Sequence, residues 1–209
     1  MKPIFITGTG TDVGKTLVSA IITEALNADY WKPVQAGYAE GTDSLFVQSV
    51  ISNPKTIIHP ELYRLRLAAS PHLSAKAEQK EIKIKDIVNH LPKTKNQLIV
   101  EGAGGLMVPL NNKRFVLDLI KKLKAKVIIV SKNELGSINH SLLTAAVLKH
   151  EDIDVAGWVF NEEYLNYEEE ISHWSGFPVI ASIKHLPEIS KETIRTEAEK
   201  IKERLQKYV

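Results

Sequence analysis

A short apolar run, Pro3–Thr7, breaks at Gly8 into Gly8-Thr9-Gly10-Thr11-Asp12-Val13-Gly14-Lys15-Thr16, and an apolar-periodic helical pattern opens directly behind it. No other feature constrains the chain as much. Strand, glycine-rich loop and helix in that order are the context of a phosphate-binding loop. Glycines let successive backbone N–H groups turn toward one point, and the helix N-terminus adds about half a positive charge there. Lys15 supplies a mobile ammonium for terminal phosphates, and the Thr16 hydroxyl suits Mg²⁺. The commoner spacing has four residues between the outer glycines; five separate Gly8 from Gly14. An ordinary glycine-rich turn is the alternative, and the Gly-Lys-Thr ending at this boundary speaks against it.

The rest of the chain repeats the alternation. Gln97–Val100, Lys126–Val130, Val155–Phe160 and Pro178–Ala181 are short β-branched or apolar runs, with Asp29–Lys32 a weaker one. They are continuous rather than alternating, as strands buried on both faces must be. Helical patterns cover Lys15–Asn27, Phe115–Leu123 and Ile138–Lys149. A last one, with Ile194, Ala198, Ile201 and Leu205 on one face, has Ser190 as its N-cap and Glu192 in its first turn. The expected fold is α/β: three layers, a mainly parallel sheet with helices on both faces, P-loop NTPase-like, in one domain spanning residues 1–209. Ligands in such folds bind beyond the carboxyl ends of the strands.

Composition narrows the function. Lys plus Arg total 27 and Asp plus Glu 25, a net charge of +2. That argues against nucleic acid or an anionic membrane held by bulk electrostatics, and leaves room for one small anion site. With no cysteine, thiolate catalysis, disulfides and cysteine-bound zinc are excluded. No run long enough for a membrane span and no signal-peptide pattern is present, so a soluble, cytoplasmic protein is expected.

Candidate partners of the loop follow the same logic. Glu101 is read as ending the Leu98–Val100 strand before Gly102-Ala103-Gly104-Gly105, where a carboxylate can hold a metal and the glycines admit a ligand close to the backbone. Lys32, in Lys32-Pro33-Val34-Gln35, sits at the carboxyl end of the weak second strand, where a surface role and a site role are both open. Read locally, Thr42 or Asp43 only caps the helix beginning at Leu45. Ser70-Pro71-His72 reads as N-cap, proline in the first turn and helix, with His72 structural.

Together these motifs resemble the dethiobiotin synthetase family, ATP-dependent ring-closing ligases of biotin biosynthesis. The resemblance runs through Gly8–Thr16, with the same extra residue before Gly14, then Lys32-Pro33-Val34-Gln35, Asp43, Ser70-Pro71-His72 and Val100-Glu101-Gly102-Ala103-Gly104-Gly105. It continues through Leu135-Gly136-Ser137-Ile138-Asn139-His140 and Ala156-Gly157-Trp158-Val159-Phe160-Asn161.

The family reaction implied joins 7,8-diaminononanoate, CO₂ (or bicarbonate) and ATP into dethiobiotin, ADP and phosphate, with Mg²⁺. It proceeds through a carbamate and a carbamic-phosphoric anhydride. The resemblance places nucleotide binding on Asp12, Val13, Gly14, Lys15, Thr16 and Leu17, on Gly102, Ala103 and Gly104, and on Asn161, Lys184, His185 and Leu186 at the purine. It gives Thr16, Asp43 and Glu101 as metal ligands and Lys15 and Lys32 as catalytic lysines. Thr11, Lys32 and Ala36 fall on substrate positions. Gly136, Ser137 and Asn139 fall on the site for the substrate's carboxylate at a homodimer interface. The sequence departs from the family at Ala36, where Ser or Thr is common, and at Asp12, where Glu is usual.

Two rival classes fit less well. Regulatory ATPases of the chromosome-partition and septum-site type share this broad fold, but carry a second lysine near the first glycine of the loop; no lysine lies between Gly8 and Gly14. A GTPase needs Asn-Lys-x-Asp, and Ser131-Lys132-Asn133-Glu134 misses both ends.

Overall fold

The computed structural model covers residues 1–209. Its strands are β1 (Ile4–Gly8), β2 (Asp29–Trp31), β3 (Val34–Ala36), β4 (Ile58–His59), β5 (Tyr63–Leu65), β6 (Leu98–Gly105), β7 (Lys126–Lys132), β8 (Val155–Asn161) and β9 (Val179–Ile183). Its helices are α1 (Lys15–Leu26), α2 (Asp43–Val50), α3 (Pro71–Ala77), α4 (Ile84–Asn89), α5 (Val116–Leu123), α6 (Ser137–His150), α7 (Tyr167–Ser175) and α8 (Lys191–Gln206).

Seven strands form one sheet in the order β4-β2-β6-β1-β7-β8-β9, and every pairing is parallel. β3 and β5 make a separate parallel pair. From β1 the chain moves outward to β2 and β4, returns through β6, and crosses to β7, β8 and β9. The direction of winding therefore changes around β1, and the crevice beyond its carboxyl end is where such sheets take ligands.

Period-2 alternation divides the core into two layers. Ile4 and Ile6 of β1 and Ile128 and Val130 of β7 face a layer closed by α1 and α8, including Ile21, Ile22, Ile194 and Leu205. Phe5, Val127 and Ile129 face the opposite layer with Trp158, Phe160, Leu119, Ile120 and Leu148. Both sides of the strands are thus apolar, which accounts for their unbroken hydrophobic runs. No helix is long and apolar enough to cross a membrane.

The expected strands and helices are present, with differences at their ends. Glu101 does not end its strand. β6 runs on through Gly105, which pairs with Gly8. A Cβ at Gly102 would strike the Phe5 ring at 2.7 Å and one at Gly105 would lie 3.1 Å from Gly8 O, so this glycine-rich stretch is strand packed closely against β1. α1 stops at Leu26, and Asn27 takes the left-handed cap conformation. Ser190 caps α8 in a reciprocal pair with Thr193. β3, β4 and β5, two or three residues each, carry no periodic signal of their own.

At the amino end of β2, away from the phosphate loop, the buried Asp29 carboxylate ties three segments together. It accepts hydrogen bonds from Ile57 N (3.0 Å), Asn96 Nδ2 (2.9 Å) and Thr94 Oγ1. Burial opposes its charge, but these donors outweigh it and hold its pKa below the ordinary 3.8. A depressed carboxylate contributes stability above its unfolded pKa and loses it as pH falls through the folded value. Asp29→Ala should destabilise the protein by about 3 kcal/mol at neutral pH. Asp29→Asn should flatten the loss of stability that the wild type shows below about pH 4. Denaturant titrations across pH read both effects.

Candidate active site

The phosphate loop closes over the carboxyl end of β1. Gly14 sits at φ +90°, and a Cβ there would run into the amide of Asn161 at the end of β8. That amide donates to Val13 O at 3.4 Å, so β8 buttresses the loop from behind. At Gly8 a Cβ would lie 2.9 Å from Gly10 O and 3.1 Å from Lys15 Nζ, which leaves glycine as the residue that fits. Asp12 adopts φ +54°, a left-handed conformation uncommon for a residue with a side chain.

Lys15 folds back and donates to Gly10 O at 2.7 Å. Burial pulls its pKa down to about 8, with Lys32 adding to the effect and Glu101 opposing it. Thr16 Oγ1 donates to Glu101 Oε1 at 3.0 Å. Lys32, at the end of β2, donates to the same Glu101 Oε1 at 2.8 Å and also to Asp43 Oδ2. Burial alone would lower the Lys32 ammonium, but the Glu101 and Asp43 carboxylates outweigh it and raise its pKa above the ordinary 10.5. Tyr30 OH donates to Glu101 Oε2 at 2.8 Å.

Asp43 is the first residue of α2, and Thr42 is its cap, with Thr42 Oγ1 accepting from Leu45 N at 3.2 Å. The capping duty falls to Thr42, which frees the Asp43 carboxylate for Lys32. Gln35 fixes the approach of α2 by accepting from Asp43 N at 3.2 Å and donating to Gly37 O at 2.8 Å.

Lys15, Thr16, Lys32, Gln35, Asp43 and Glu101 line one cavity of about 600 Å³. Its walls include Thr11, Asp12, Gly14, Lys15, Thr16 and Leu17 from the loop and α1. Lys32, Ala36, Asp43, Glu101, Ala103 and Gly104 join them, so the fold gathers most of the expected site residues. Val34, Gln35, Ala69, Ser70, Pro71 and Val108 also line it. Sequence reasoning assigned these no site role, although Val34-Gln35 and Ser70-Pro71 stood inside motifs already singled out. His72 is held by Ser70 Oγ at 3.1 Å from its Nδ1 and does not line this cavity.

Other expected residues lie elsewhere. Gly136 and Ser137 border a second cavity of about 240 Å³ on the far side of the loop, with Thr9, Gly10, Lys132 and His140. Asn139 is exposed and borders neither. Asn161 lies against Val13 and Gly14, while Lys184 and His185 are exposed, Lys184 pairing with Glu163 at 2.7 Å. The Thr16 hydroxyl with the Asp43 and Glu101 carboxylates is an all-oxygen donor set. Two carboxylates and a hydroxyl suit a hard, small cation such as Mg²⁺, which draws its remaining ligands from phosphate and water.

Known proteins share this fold and much of this sequence. The fold is that of P-loop ATPases of the ParA/MinD kind. The cell division ATPase MinD of Pyrococcus furiosus superposes with a TM-score of 0.58 at 15% identity, over 97% of this chain and 99% of that one. The septum site-determining protein MinD of Pyrococcus horikoshii, complexed with Mg-ADP, gives 0.59 at 16% identity, over 100% and 93%. A family model described as an AAA domain matches residues 2–193. At the level of sequence, the ATP-dependent dethiobiotin synthetase BioD of Cytophaga hutchinsonii is 50% identical over 96% of this chain and 97% of its own. The protein of the same name from Christiangramia forsetii is 43% identical over 98% of each. The chain belongs to the dethiobiotin synthetase family.

A phosphate brought against Lys15 raises its pKa from about 8. Nucleotide binding near pH 8 should therefore take up a fraction of a proton, and affinity should weaken as pH rises above that value. Calorimetry in buffers of different ionisation enthalpy measures the uptake; Lys15→Arg, charged throughout, should abolish it.

Proposed function

We propose that this chain catalyses ATP- and Mg²⁺-dependent carboxylation and ring closure of 7,8-diaminononanoate to dethiobiotin. The observation that carries the proposal is the convergence of Lys15, Thr16, Lys32, Asp43 and Glu101 on one cavity. The names of the relatives at 43–50% identity supply the reaction.

One substrate amine adds to CO₂, and loss of its proton leaves a carbamate. A carbamate oxygen attacks the γ-phosphorus and ADP departs. The second amine then attacks the carbamoyl carbon, phosphate leaves, and the ureido ring closes. Two anions must meet in the phosphoryl step, and Lys32 reaches the cavity between β2 and β6 where it offsets their repulsion. Lys15 serves the terminal phosphates from the loop. When bound by Thr16, Asp43 and Glu101, Mg²⁺ would offset the triphosphate charge. Val34, Ala69, Pro71 and Val108 give the cavity an apolar wall beside Lys32, suited to an aliphatic chain. Holding the second amine near the activated carbon replaces a strong base, since oriented groups reach effective molarities of about 10⁵ M and more.

The proposal also includes a homodimer. Gly136 and Ser137 would receive the substrate carboxylate at the amino end of α6, with Asn139 beside them. Ser137 Oγ is buried without a partner, and Met107, Leu135 and Leu143 are exposed nearby. Asn161 would read the purine edge, flanked by Lys184, His185 and Leu186. A cytoplasmic location goes with this assignment.

Purified protein with the diamine, ATP, Mg²⁺ and ¹³C-bicarbonate should yield singly labelled dethiobiotin by mass spectrometry; its absence from folded, ATP-binding protein refutes the assignment. Lys32→Gln should keep nucleotide binding and lower kcat by about 10²-fold or more, with normal turnover removing its catalytic role. Light scattering should report a dimer, and a monomer would remove the shared carboxylate site.

A further inference from the structure

Tyr30 lies in β2 and Lys32 one residue past its end, two positions on, and both side chains leave on the face that meets Glu101. The register of β2 on β6, Tyr30 with Ile99 and Trp31 with Val100, brings that face to Glu101. Tyr30 is fully buried, and the one hydrogen bond its hydroxyl makes is to Glu101 Oε2. The other two donors to this carboxylate, Thr16 Oγ1 and Lys32 Nζ, both come to Oε1. The carboxylate is thus divided: one oxygen belongs to the sheet interior and the other to the cavity. Phenylalanine would fill nearly the same space, and a buried hydroxyl is costly unless it is used.

We infer that Tyr30 is a positioning residue which, by occupying Oε2, presents Glu101 to the cavity as a one-oxygen ligand and so favours a small divalent cation over a large one. Mg²⁺ demands near-octahedral geometry, whereas Ca²⁺ accepts carboxylates through both oxygens and tolerates irregular shells. Releasing Oε2 gives Glu101 the freedom that suits Ca²⁺. The inference rests on Thr16, Asp43 and Glu101 being the cation ligands.

The test is ADP affinity by calorimetry with Mg²⁺, with Ca²⁺ and with EDTA, on wild type and Tyr30→Phe. In the wild type Mg²⁺ should strengthen binding more than Ca²⁺ does. In Tyr30→Phe the Mg²⁺ gain should fall by about 10-fold, the EDTA value should hold, and the Ca²⁺ gain should hold or rise. In a Glu101→Gln background the same change should leave the Mg²⁺-to-Ca²⁺ ratio where it was. An unchanged ratio in Tyr30→Phe overturns the inference and leaves the ligand assignment standing. Equal losses with and without metal also overturn it, since they mark a packing role. No Mg²⁺ effect in the wild type brings down the ligand assignment itself. Should Tyr30→Phe not fold, infrared difference spectra of wild type against Glu101→Gln, each with Mg²⁺ and ADP, decide the matter. The wide carboxylate stretch separation of a one-oxygen ligand is expected, and the narrow separation of a bidentate one overturns the inference.

Discussion

A carboxylate inside a parallel sheet has to be satisfied on both oxygens, and the arrangement around Glu101 follows from that requirement. Its charge is almost wholly buried, at 1% exposure. Three donors meet it: Tyr30 from β2, Lys32 from one residue past the end of β2, and Thr16 from α1. Lys32, itself buried, requires a second carboxylate, and α2 delivers Asp43. Removing one member of such a set leaves an uncompensated charge, which costs about 3–5 kcal/mol. The positions of β2, α1 and α2 relative to β6 are therefore fixed by the same contacts that shape the cavity.

Much of this was legible in the sequence because parallel strands buried on two faces leave continuous apolar runs, and because Gly8–Thr16 has a fixed relation to the strand and helix around it. Three kinds of feature were not. β3, β4 and β5 are held by their neighbours, and two or three residues cannot show a period. Glycines 102, 104 and 105 read as a stretch beyond the strand that admits a ligand close to the backbone, yet Gly102 lies under Phe5 and Gly105 pairs with Gly8, so here glycine marks close approach between strands. Thr42 or Asp43 read locally as the helix cap, and the fold shows that Thr42 takes that duty. Tyr30 could have been found: its spacing of two from Lys32 places both on one face, but the weak strand signal concealed the pairing with β6.

The sheet alone would not have distinguished this chain from cell division ATPases, since those share the winding at 15–16% identity. Function is read from the site and not from the sheet. Lys32, Gln35 and Asp43 line the cavity from the β2–α2 side, and Ala69, Ser70 and Pro71 from the segment before α3.

The division of charge around Glu101 has a consequence for how ligands arrive. Lys15 and Lys32 stand against Asp12, Asp43 and Glu101 at the cavity, and the whole chain carries only +2. Such a surface projects little field beyond a Debye length, about 8 Å at physiological salt. Encounter with a triphosphate is then governed by diffusion and fit rather than by attraction from afar. Selection of a ligand then falls to the contacts made inside the cavity.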